Sequence, residues 1–170
     1  MAVPLDFRTK PLSLNAIADC GRYSGRISYW RLYVIENVVR VITHSVLTVQ
    51  IGPKWWTVAV SPWIDKKVQG VKADYRSQPH RANPGNHDIY YLFLPDLTKI
   101  ISTHAGLFNP IIPEIDTWIA RLESIRLPRN IVGHMNWPNN KDRSDVDRLY
   151  RDIKRLHQQL QRPGFNLIIP

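Results

Sequence analysis

Six consecutive residues, Arg129-Asn130-Ile131-Val132-Gly133-His134, combine the side chains that phosphodiester chemistry needs. Histidine is the side chain that both takes and gives a proton near neutral pH. Arginine offers a planar, permanently charged fork that matches a phosphate. Asn130 and His134 stand four residues apart and would project from one face of a helix. Such a set suits cleavage of RNA through its own 2′-hydroxyl. A base removes the 2′-OH proton, the guanidinium stabilises the extra charge on the phosphorane-like transition state, and an acid protonates the departing 5′-oxygen. None of these steps calls for a metal, and DNA, which lacks the nucleophile, is excluded as substrate.

The spacing is uncommon for this composition. With 15 arginines and 6 histidines in 170 residues, an Arg-x4-His pair arises by chance about 0.5 times, and requiring asparagine second lowers that to about 0.03. Gly133 has two readings. In a helix interior it costs about 1 kcal/mol relative to alanine, so either a substrate or another backbone approaches closely there, or the glycine serves ordinary packing.

The elements that must position this run are helical. From Ile27 to Gln50 there is neither proline nor glycine, which predicts the longest helix, stopped by Gly52-Pro53. Val34, Val38, Val41, Ile42 and Val49 fall on one broad face, with Tyr29, Tyr33, Glu36, Arg40 and His44 opposite. Ser61-Pro62 predicts a helix over 62–77. Residues 78–87, rich in Pro, Gly and Asn, read as an exposed, basic loop. Residues 89–104 predict a central helix that Pro95 splits. Ile115, Ile119 and Leu122 stripe a helix over 113–126, and Leu127 before Pro128 is biased out of helical geometry. Pro128 then opens a short helix over 128–136, whose free N–H groups and dipole would favour an anion beside Arg129. Ser144-x-x-Asp147 starts the last helix, with a seam of Val146, Leu149, Ile153, Leu156 and Leu160. The fold class expected is all-α, an antiparallel bundle of about five helices. Residues 1–25 read as an arm, 26–162 as the helical domain and 163–170 as a tail.

Composition bounds the rest. Lysine and arginine exceed aspartate and glutamate by 23 − 14 = 9, and the pI is near 9.9, so a polyanionic partner is favoured, nucleic acid ahead of membrane. Arg148, Arg151, Arg155 and Arg162 lie on the side of the last helix opposite its seam, either as a solvated face or as a stripe that tracks phosphates. No apolar run is expected to reach the roughly 18 residues that span a bilayer, and the charged N-terminal segment does not read as a signal peptide. With one cysteine, Cys20, the chain has no disulfide framework, and the cytoplasm is the expected compartment. His44, His80, His87 and His104 lack metal-ligand spacing, and no P-loop, G-x-G-x-x-G or G-x-S-x-G run occurs, so neither metal nor cofactor is expected. The tryptophans read as core or subunit interface rather than stacking platforms.

The run Arg129 to His134 resembles the Arg-polar-x3-His motif of the HEPN superfamily, and the likeness extends over roughly 26–162 through the long opening helix bearing Glu36-Asn37-x-x-Arg40. The resemblance implies an all-helical, metal-independent endoribonuclease of the kind found in toxins and antiviral defence. It implies a homodimer in which two copies of Arg129, Asn130 and His134 face each other across a composite site, with Glu36 and Arg40 supporting, by orienting Arg129 or contacting RNA, unless they form only a surface ion pair. An antitoxin or activating partner protein would be in keeping with it. Asn136 stands where HEPN toxins paired with nucleotidyltransferase antitoxins carry tyrosine, so control by modification at that spot is not implied. The alternative is a non-catalytic helical nucleic-acid-binding or adaptor module; a helical DNA regulator has less support, since no short glycine-containing turn joins two suitable helices.

Overall fold

The computed structural model describes residues 3–9, 11, 13–161 and 165–170. Among them the chain is all-helical, without a β-strand. Its α-helices are α1 (Leu14–Ser24), α2 (Trp30–Ile51), α3 (Trp55–Ala59), α4 (Pro62–Arg76), α5 (Leu94–Thr103), α6 (Ala105–Phe108), α7 (Ile115–Ser124), α8 (Arg126–Gly133) and α9 (Asn140–Gln161). A π-helical turn, Gly25–Tyr29, joins α1 to α2, and a 3₁₀ turn, Asp88–Tyr91, precedes α5. Two compact units result: Met1–Ile35 with Ser124–Leu156, and Glu36–Glu123 with His157–Pro170.

In the first unit, residues read as an arm form α1, where the Ser13 hydroxyl accepts the Ala16 N–H at 3.3 Å and Cys20 and Tyr23 are buried. Arg31 lies between aromatic and acidic partners: its guanidinium is 4.7 Å from the Trp30 ring and 5.8 Å from that of Tyr150, with Nε 3.0 Å from Asp147. The start of α9 is four residues earlier than the Ser144 signal suggests. Asn139 and Asp142 cap it reciprocally, each backbone N–H donating to the other's side chain at 2.9 Å. The expected seam of α9 is buried throughout.

Helix α2, whose residues to Ile35 belong to the first unit and the rest to the second, shows its expected length but not its expected face. Ile35, Val39, Ile42 and Val46 are buried, whereas Val49 is exposed and the expected polar side holds the buried Arg40 and His44. The β-branched residues run all round this helix, so their spacing does not set its rotation. The continuous helical stretch Leu14–Ile51 is, by length and composition, apolar enough to cross a membrane, contrary to the sequence-based expectation, and more than half of the window concerned is buried. Pro95 does split the third stretch, standing in the first turn of α5 behind the 3₁₀ turn. Asp96 there accepts the Phe93 N–H at 3.2 Å and binds Lys67 at 2.7 and 2.9 Å.

His44 is held neutral in an aromatic nest. The Trp55 indole N–H donates to its Nδ1 at 3.2 Å, Thr48 lies 3.4 Å from Nε2, and the His87 ring stands edge-on at 4.7 Å. Burial, then the nearby His87, pushes its pKa down to about 4. His87 is also lowered, chiefly by burial, with Asp88 opposing and Lys72 reinforcing the shift. The unfolded chain therefore binds more protons than the folded one below about pH 6.5, and stability declines as pH falls through that window. Denaturant midpoints should show a loss of about 2 kcal/mol attributable to His44 between pH 7 and pH 5. His44→Gln, which keeps an acceptor for Trp55, should remove most of that loss.

Candidate active site

Helix α8 starts at Arg126, two residues earlier than Pro128 suggests, with Leu127 helical and exposed. The early start is tolerated because the first N–H groups of a helix have no partner within it, so proline at the third position sacrifices nothing. The motif consequently sits elsewhere than expected. The Arg129 N–H is already spent on Ile125 O at 2.8 Å, and His134 is the C-cap. The anion-favouring N-terminus is not where the motif lies; Arg129 itself, not the helix dipole, must supply positive charge.

The helix ends in a complete Schellman turn. Met135 N–H donates to Val132 O at 3.0 Å and Asn136 N–H to Ile131 O at 2.8 Å, which places Met135 at φ 58°. Glycine usually fills this position, and a side chain there costs roughly 1 kcal/mol or more. The turn stops α8 at His134 and leaves the imidazole exposed.

Arg129 extends along the helix, its Nη1 3.6 Å from where a Cβ on Gly133 would stand. That is ordinary contact distance, and among the described residues no backbone from outside α8 and its immediate neighbours lies within 4 Å of the spot. Arg129 and Asn130 are half-buried and His134 is exposed. The Asn130 amide and the His134 ring make no hydrogen bond to any described residue. A cation, an amide and an imidazole thus lie within the last turn and a half of α8, the imidazole exposed and the other two half-buried.

The segment beyond the turn is firmly held. The Trp137 ring packs 5.7 Å from Tyr23, Arg143 covers both rings at 5.3 and 5.6 Å, and its guanidinium donates to Pro138 O and Asn140. Beside the turn lies an apolar groove of about 400 Å³, lined by Phe7, Ile17, Cys20, Tyr29, Met135 and Trp137 among others.

The remaining expected site residues have other occupations. Arg40 is 7% exposed, so the pair with Glu36 at 3.1 Å is no surface bridge. Its Nε donates to Ile89 O, its Nη2 to Leu92 O and its Nη1 to Asn37, which makes it a clamp on the 3₁₀ turn. On α9, Arg148, Arg151 and Arg155 each pair with an aspartate within one turn, at 3.6, 3.3 and 3.7 Å; Arg162 lies outside the described residues. The stripe is therefore partly offset by Asp145, Asp147 and Asp152, of which Asp145 also pairs with Lys141 and Asp147 with Arg31, and its guanidinium groups remain exposed. A cluster not expected from the sequence lies in the second unit, where Lys72, Arg76 and Arg81 meet around the 78–87 loop; the basic character of that loop was its signal. Among the described residues no three or more His, Cys, Asp or Glu side chains are grouped to hold a metal ion.

In comparison with known proteins, the chain matches no family model, no curated protein and no solved structure. The site therefore stands on its geometry. With Met135 strained in the left-handed region, Met135→Gly should raise stability by about 1 kcal/mol, an increase in Tm of about 3 °C by calorimetry. An unchanged or lower Tm would show that the side chain offsets the strain.

Proposed function

We propose that this chain is a metal-independent endoribonuclease. The observation that carries the reading is the alignment of Arg129 along α8 against Gly133, beside an exposed His134 and an Asn130 amide with no partner among the described residues. His134 exchanges protons with the 2′-hydroxyl or the 5′-oxygen, Arg129 stabilises the phosphorane, and Asn130 orients the phosphate. One imidazole cannot be base and acid in the same step. A second copy of the chain supplies the other, so a homodimer with a composite site belongs to the reading, as the HEPN resemblance implies. The apolar groove beside the turn suits the unstacked base next to the scissile bond, with Tyr29 as its exposed ring. A role as toxin or antiviral effector in the cytoplasm, restrained or activated by a partner protein, follows from the same resemblance. The non-catalytic alternative would use the α9 arginines, which are exposed and only partly offset by aspartates within one turn.

Incubation with a mixed RNA pool in EDTA tests the reading. Cleavage should persist in the chelator and give 2′,3′-cyclic phosphate and 5′-hydroxyl ends. His134→Ala should lower the rate by about 10²–10⁴ with the helical CD spectrum intact, and Arg129→Lys, which keeps charge but not the fork, should lower it by about 10². Equal activity in the His134 variant would overturn the assignment.

A further inference from the structure

We infer that the groove between the end of α4 and the 78–87 loop is a binding site for the phosphate backbone of single-stranded nucleic acid. The groove measures about 370 Å³ and is lined by Lys72, Arg76 and Arg81 with Tyr75, Asn83 and Tyr91 among its walls, and no acidic residue lines it. Lys72 is compensated by Asp88. Arg76 has no acidic partner among the described residues, and Arg81 uses only its Nε, on Gln78 at 2.7 Å. Two guanidinium forks therefore face solvent in a polar groove, the arrangement that takes phosphate oxygens bidentately. Tyr75 is exposed, its ring in a T-shaped contact with Tyr91 at 5.9 Å, and is an aromatic surface on which a base can stack.

The loop that carries Arg81 is built rather than loose. The buried Tyr91 donates its hydroxyl to Asn83 at 2.8 Å, and Asn83 also accepts the Gly85 N–H at 3.0 Å. A Cβ on Gly85 would stand 2.3 Å from the Tyr90 ring, so only glycine lets the loop lie on that ring. Tyr90 in turn donates to Pro170 O at 3.1 Å. A preorganised wall spares a ligand the ordering of the loop. The positive excess of the chain thus has an outlet on this groove, which no carboxylate lines, while each described α9 arginine has an aspartate within one turn.

The test uses the full chain and a 2′-O-methyl oligouridylate of about twelve nucleotides. This strand has no free 2′-hydroxyl, so the outcome is independent of whether the protein cuts RNA. Fluorescence anisotropy should show Arg76→Glu/Arg81→Glu binding at least about tenfold more weakly, with a salt slope smaller by about 1.4, the share of two phosphate contacts on a single strand. Arg76→Gln/Arg81→Gln, should the reversal disturb folding, should act in the same direction. Tyr75→Ala should weaken the oligouridylate more than an abasic strand of equal charge, whereas Arg151→Glu/Arg155→Glu on α9 should change affinity less than about twofold. Unchanged affinity in the Arg76/Arg81 variants would overturn the assignment. So would an equal loss from the α9 variant, or equally tight binding of polyglutamate or of free uridine monophosphate.

Discussion

Twenty-three lysines and arginines share this chain with fourteen carboxylates, and every buried cation must be compensated by something. Arg40 meets this requirement with the Glu36 carboxylate and the carbonyls of Ile89 and Leu92. A guanidinium removed from water and left unpaired would cost several kcal/mol, so its donors dictate where the 3₁₀ turn sits. The turn sets Tyr90 and Tyr91, and those two rings carry the loop above them through Gly85 and Asn83. A single buried charge on a long helix is thereby transmitted to the wall of a basic groove.

The first unit solves the same problem with aromatic rings. Arg31 lies against Trp30 and Tyr150, and Arg143 against Tyr23 and Trp137. Because a guanidinium is weakly hydrated and planar, ring faces can share the task of holding it with the Asp147 carboxylate for Arg31 and with the Pro138 carbonyl and the Asn140 amide oxygen for Arg143. Arg143 fixes the segment behind α8 and keeps the Schellman turn in place. His134 owes its exposure to that turn: one further helical residue would continue the coil past the motif. The αL conformation of Met135, an uncommon choice for a side-chain-bearing residue, is local strain at the edge of the candidate site.

Polar groups inside the second unit have a different consequence. His44 and His87 pack against tryptophan and against each other and are kept neutral by burial. They close the nest without a compensating charge, and they tie this part of the fold to neutral pH. The same helix that passes for a membrane segment by composition carries Arg40, Thr43, His44 and Ser45, all buried against polar partners, the pattern of a helix enclosed by its own chain.

What the sequence by itself determined was local: where helices form, and where several of them stop. Ser61-Pro62, Gly52-Pro53 and Pro95 act through the adjacent backbone, so their effects are legible in one dimension. The seam of α9 is legible for the same reason, since polar residues flank it on a clean period. The rotation of α2 is not, because valines and isoleucines cover most of its circumference and only contacts with other elements choose which of them are buried. The Arg-Asn-x3-His spacing could be read directly, but its place at the C-terminal end of α8 could not. That depends on Ile125 accepting the Arg129 N–H and on a non-glycine residue entering the left-handed region. The pairs of α9 lie within one helical turn and are local as well, whereas the carbonyls that hold Arg40, the rings that hold Arg31 and Arg143, and the groove that gathers Arg76 and Arg81 were decided by tertiary structure, because such distant partners count only once folding has brought them within reach.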